Sequence, residues 1–131
     1  RTRRLVFISE TKQADHDKKL AYLREAGYEI VADKAASLAG TDAYCTTPPQ
    51  FWYDTAMALR NDSAEAYFLS CANIQSIDVI EELERDLGKP VVTSNQAAIW
   101  CSLRMAGIRD DVRGLGALLR LDGKVRSAVA A

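Results

Sequence analysis

The sequence predicts an α/β fold, a four-stranded parallel sheet flanked by helices. Three observations carry that prediction: short apolar runs recur along the 131 residues, amphipathic stretches separate them, and two of those stretches stop at a glycine. Parallel neighbours then require right-handed crossovers. With 48% hydrophobic residues in 131, the chain can bury one core, so residues 1–121 read as a single domain and 122–131 as a loose C-terminal tail.

Arg4 to Ser9 is a short apolar run behind basic residues, and Glu10 to Asp17 is polar, as expected of a strand opening into a surface loop. Lys18 to Ala26 sets Leu20, Leu23 and Ala26 at helical spacing and ends at Gly27, a natural helix C-terminus. Tyr28 to Ala32 is the second strand. Asp33 to Thr47 reads as a connection with room for a helical turn. Pro48 and Pro49 suit the first turn of a helix that runs to about Leu59 and stops at Asn61-Asp62-Ser63.

Ala66 to Ser70 is the third strand. The helix expected over Ser76 to Leu87 places Ile77, Ile80, Leu83 and Leu87 on one face, with Glu81, Glu82, Arg85 and Asp86 toward water. Gly88 ends it, and Lys89-Pro90 introduces the fourth strand, Val91 to Thr93. Asn95 is a candidate N-cap for Gln96 to Ala106, which is apolar almost all round and therefore expected to be buried on more than one side. Gly107 to Leu121 suggests a last docked helix.

A formal net charge of −1 from 17 basic and 18 acidic residues argues against nucleic acid and anionic membrane surfaces as partners. No run of about 18 apolar residues or signal-peptide pattern is present, and three cysteines without metal-type spacing suit a reducing compartment, so the cytoplasm is expected. The absence of an initial Met fits a trimmed or excised segment.

Open parallel sheets gather ligands outside the carboxyl ends of their strands. Phe68-Leu69-Ser70-Cys71-Ala72-Asn73 places a thiol at one such end, and backbone N–H groups from Ala72 to Gln75 could cradle an anion there. A thiol so placed is expected to have a lowered pKa and to suit proton transfer or nucleophilic attack beside a carboxylate. The competing reading is a small buried residue closing a strand. Cys45 reads as an incidental loop thiol and Cys101 as core packing. His16, the single histidine, reads as a solvated surface residue in preference to a general base. Thr93-Ser94-Asn95-Gln96 could bind polar ligand atoms, although N-capping accounts for Asn95 equally. Tyr44, Phe51, Trp52, Tyr53 and Trp100 could line a pocket but suit the core. A zinc site from His16 and the cysteines finds no support in the spacings.

At Ser70-Cys71-Ala72-Asn73-Ile74, Ile77 to Glu84 and Leu87-Gly88-Lys89-Pro90-Val91-Val92-Thr93-Ser94-Asn95-Gln96-Ala97, the chain resembles the aspartate/glutamate racemase superfamily. Within it, the chain is similar to the maleate cis-trans isomerase and arylmalonate decarboxylase branch, including relatives from ectoine utilisation. The resemblance is specific over Tyr67 to Leu121 and weaker back to Arg4. It implies a flavodoxin-like half of a two-domain racemase-type fold, the second half, whose site lies between two halves that each supply a cysteine. It further implies an enzyme that uses no metal or organic cofactor and acts on a small carboxylic acid as an isomerase, racemase or decarboxylase. Cys71 would be the acid/base thiol working through an enediolate-like state, and Ser70, Ala72, Asn73 and Thr11 would bind substrate. Where many relatives carry Thr-Pro-Tyr, this chain has Ser9-Glu10-Thr11. Pairing with an N-terminal half or with a second copy would complete the site. The reading from a different class is a non-catalytic carboxylate-binding or interaction domain.

Overall fold

Four apolar runs pair in parallel in the order β2-β1-β3-β4, with β1 at Arg4–Ser9, β2 at Glu29–Ala35, β3 at Ala66–Ser70 and β4 at Val91–Thr93, in a computed structural model that describes residues 2–123. Valine, isoleucine, phenylalanine and tyrosine suit a pleated surface covered on both faces. One face sets Val6, Ile8, Tyr67, Leu69 and Val91 against Trp52 and Ala56 of α3 (Pro49–Ala58) and Ile80, Leu83 and Leu87 of α4 (Ile80–Leu87), forming the core. The other face turns Phe7 and Phe68, partners in the β1–β3 register, toward α1 (Gln13–Glu25) and α5 (Ser94–Met105).

The expected α/β architecture is present, with several elements differently bounded. The first helix begins at Gln13, not Lys18, because its buried stripe is His16 and Leu20, four residues apart. Its polar start conceals the first turn. Thr41–Thr46 forms α2, the helical turn expected in the connection, and Pro49 sits at N1 of α3. The helix expected from Ser76 divides into a 3-10 turn, Ile77–Val79, and α4, so Ile77 is left 38% exposed. Gly88 closes α4 with φ 65°, a left-handed cap suited to glycine.

Two expectations fail at the C-terminal end. Gly107 to Leu121 is not a docked helix; among the described residues it is irregular apart from the 3-10 turn Leu118–Arg120, which buries Leu119. Five hydrogen-bond acceptances by its carbonyls explain how it is held: Gln96 Nε2 donates to Leu115 O, and the Arg104 guanidinium donates to Ile108, Leu119 and, twice, to Leu121. Nor is α5 buried on several sides. Its buried residues are the polar Gln96 and Arg104, whereas Ile99 and Met105 are 51% and 75% exposed. Cys101 is half-buried beside Met105 and lies outside the core. The N-cap of α5 is Thr93, not Asn95. Thr93 Oγ1 accepts from Gln96 N at 3.1 Å while Gln96 Oε1 accepts from Thr93 N at 2.9 Å, a capping box that Asn95 is one residue pair out of step to make. The expected tail lies outside the described residues from 124 onward.

Candidate functional site

Ser9 of β1 and Ser70 of β3 are partners in the sheet register, so the next residues, Glu10 and Cys71, leave the sheet side by side at its carboxyl edge. Cys71 has φ 133°, a positive angle that an L-residue adopts only where its surroundings impose it. Those surroundings come from the first turn of α5. Ser94 Oγ accepts from Cys71 N at 3.1 Å, and Asn95 Nδ2 donates to Ala72 O at 2.9 Å. Ser37, the other non-glycine residue with positive φ among those described, lies at the same edge, where Ala36, Ser37 and Leu38 donate to the carbonyls of Ser9, Thr11 and Glu10.

The thiol is half-buried and packs against the α3–α4 core. Burial pushes its pKa up; the Asn73 backbone N–H, 3.3 Å from Sγ, opposes this, and the Glu10 carboxylate reinforces it against a smaller opposing effect of Lys19. The expected lowering of the thiol pKa is therefore reversed. The physical reason is burial together with the Glu10 carboxylate; in addition, a six-residue loop, Cys71 to Ser76, separates the thiol from the 3-10 turn, so the helix next in sequence does not present its N-terminus to it. Of the N–H groups expected to cradle an anion, that of Asn73 is occupied by Sγ.

Glu10 is 5% exposed and meets Lys19 of α1, whose Nζ lies 3.1 and 3.2 Å from its two oxygens. A second polar network lies next to it. His16 is fully buried, not solvated: it stacks on Phe7 with ring centroids 5.1 Å apart, places Nδ1 2.6 Å from Ser9 Oγ, and Nε2 3.0 Å from Asp33 Oδ2. A carboxylate can only accept, so Nε2 bears hydrogen; with a neutral ring, Ser9 donates to Nδ1 and Thr11, at 3.0 Å, donates to Ser9. This chain ties α1, β1 and β2 together beneath the edge. Ser9 and His16 are 0% exposed, so neither can meet a substrate directly.

The structure thus brings Cys71, Ala72, Asn73 and Thr11 to one edge, but separates Ser70 from the thiol. Ser70 faces the opposite side, where it joins Phe7, Lys18, Lys19, Tyr22, Leu23 and Phe68 around an open groove of about 340 Å³. Cys45 is exposed on α2, and the carbonyl of Cys45 accepts from Gln75, which fastens α2 to the Cys71–Ser76 loop. Trp52 belongs to the core, and Trp100 Nε1 donates to Leu121 O. Among the described residues no group of three or more His, Cys, Asp or Glu is arranged to hold a metal ion, and no helix is long and apolar enough to cross a membrane. Sequence reasoning missed Glu10, Lys19 and Asp33. The Glu10 to Lys19 spacing carries no periodic signal, but two polar residues directly after an apolar strand are a usable one.

Known proteins share this fold. Residues 2–119 match the sequence profile of the family described as Arylmalonate decarboxylase. The chain is 26% identical over 126 residues to a maleate isomerase from Nocardia farcinica, covering 95% of this chain and 50% of that protein. It is 30% identical over 95 residues to an arylmalonate decarboxylase from Bordetella bronchiseptica, covering 70% and 39%. The solved structure of Nocardia farcinica maleate cis-trans isomerase bound to TRIS superposes with a TM-score of 0.87 at 25% identity, over 91% of this chain and 49% of that one. The chain spans half or less of the length of these relatives. A profile match across nearly the whole chain, together with the fold and the strand-end thiol, places this protein in the arylmalonate decarboxylase family.

Proposed function

We propose that this chain forms the Cys71 wall of a maleate isomerase-like enzyme of the isomerase/racemase type, which acts on a small carboxylic acid by moving a proton at the carbon beside a carboxylate. The observation that carries the reading is Cys71 itself, held at φ 133° by Ser94 and Asn95 at the carboxyl edge of the sheet. Backbone strain maintained by side chains from another element, here the first turn of α5, is characteristic of reacting positions. A raised thiol pKa keeps the proton on sulfur at neutral pH, which suits donation to an enediolate-like carbon. Ala72, Asn73 and Thr11 would contact the substrate, with Ser70 supporting the strand end from the opposite side. The opposing wall would come from a second α/β half or a second copy.

The profile match and the Bordetella relative favour a second reading, decarboxylation of an arylmalonate-type diacid. Loss of carbon dioxide leaves the same enediolate-like carbon for Cys71 to protonate. Iodoacetamide labelling tests both, read at each cysteine by mass spectrometry with maleate or phenylmalonate present. Protection of Cys71, with Cys45 labelled normally, is expected, and the protecting acid identifies the substrate class. Equal labelling of Cys71 with and without either acid would favour a non-catalytic interaction domain.

A further inference from the structure

Glu10 occupies a position that the proposed chemistry leaves without a role. It is 5% exposed at the end of β1, beside the first residue past β3, and its described polar side-chain partner is Lys19, at 3.1 and 3.2 Å. Neighbouring strands run about 4.8 Å apart, so a carboxylate at this point lies within reach of the Cys71 thiol. Burial of an acid next to a thiol has a defined consequence: a thiolate there would face a second negative charge in a region of reduced dielectric.

We propose that Glu10 is a positioning residue for Cys71: anchored by the Lys19 ammonium, its carboxylate orients the S–H bond and disfavours the thiolate, so that Cys71 serves as proton donor and not as nucleophile. The inference rests on the reading of Cys71 as an acid/base thiol. In the step it supports, the electron pair on the substrate carbon takes the Cys71 proton and forms the new C–H bond. The S–H electrons stay on sulfur, and the thiolate recovers a proton from water, leaving hydroxide to the bulk buffer. Repulsion from Glu10 favours that recovery and opposes a lasting thioether adduct. The groups acting on the thiol are Glu10 from the residue after β1, Lys19 from α1 and the Asn73 N–H from its own loop, and the direction of the Cys71 pKa agrees.

The test is the pH profile of Cys71 alkylation in the full chain, with Cys45→Ser and Cys101→Ser present so that a single thiol reports. Glu10→Gln keeps the shape and removes the charge; its profile is expected to move to lower pH, raising the rate at pH 7 about three- to tenfold, while Glu10→Asp stays near the parent. If Glu10→Gln does not fold by circular dichroism, Lys19→Gln serves instead. Loss of the opposing cation should move the profile to higher pH. A profile for Glu10→Gln, or for Lys19→Gln in its place, that superimposes on the parent overturns the proposal. Because alkylation needs no substrate, this result is independent of whether the chain turns over maleate or phenylmalonate.

Discussion

At Cys71 the proposed chemical role and a conformational cost meet in one residue. A positive φ on an L-residue costs about 1–3 kcal/mol, and glycine would relieve it at an entropic cost of about 0.5–1 kcal/mol. Cys71→Gly is therefore expected to unfold at a urea midpoint equal to or above that of the parent, although it discards the thiol. A midpoint well below the parent would mean that packing of the sulfur, not strain, dominates there. The thiol also makes stability depend on pH. Its folded pKa is raised above the ordinary 9.0, so the folded state holds the proton more tightly than the unfolded chain. The contribution is fully present below pH 9 and is lost as pH rises through the folded value. Urea midpoints measured across that alkaline window should fall more steeply for the parent than for Cys71→Ala.

The thiol was legible in the sequence because a five-residue strand, apolar from Ala66 to Leu69, ends just before it. Its environment was not. Whether a polar residue is buried depends on partners far along the chain: His16 is buried because Ser9 and Asp33 satisfy both ring nitrogens, and nothing local to residues 10–17 conveys that. Glu10 and Lys19 likewise pair across a loop and a helical turn. The direction of the thiol pKa follows from the same blind spot, since burial and a neighbouring carboxylate are properties of the assembled edge.

Among the elements, α5 departs most from its sequence pattern. Apolar residues nearly surround it, yet its inward face is occupied by Gln96 and Arg104, which organise the irregular segment after residue 107. Hydrogen bonding to carbonyls outweighs hydrophobicity there because each carbonyl buried without a partner would cost about 1–3 kcal/mol. Arg104→Met keeps much of the side-chain volume and removes the donors for Ile108, Leu119 and Leu121. It should lower stability by about 2–4 kcal/mol and raise amide exchange over residues 108–121. Thr93→Ala removes the cap of the same helix at about 0.5–2 kcal/mol. Because Ser94 and Asn95 follow immediately, it should also loosen the hold on Cys71, seen as faster alkylation. The capping box was readable as Thr93 followed by Gln96, but Asn95 competes for the same role, and only the register of β4 decides between them.

For the whole molecule, the order β2-β1-β3-β4 puts the ends of the two central strands together, and these bear Glu10 and Cys71. Alternation of strands and helices made the sheet legible, since period and glycine stops are local signals. The order of the strands is consistent with right-handed crossovers but is set by packing on Leu83, Ile80 and Trp52, which are 0% exposed. Leu83→Ala should cost about 2–5 kcal/mol in urea unfolding. If α4 carries the edge only as scaffold, the variant should leave the alkylation profile of Cys71 in place wherever the chain remains folded. Exposed Ile99 and Met105 on α5, with Tyr22 at 72% exposure on α1, leave apolar surface on the side that holds the open groove. Such surface is compatible with a covering second half or second copy.

The central claim, that Cys71 moves a proton at the carbon beside a carboxylate, is tested most directly by turnover in deuterated water. Maleate and phenylmalonate would be supplied to the full protein and products followed by proton NMR, in the parent and in Cys71→Ser. The account predicts conversion of one of the two acids by the parent and a loss of at least about 100-fold in Cys71→Ser, with the fold retained. Undiminished turnover in Cys71→Ser would contradict it.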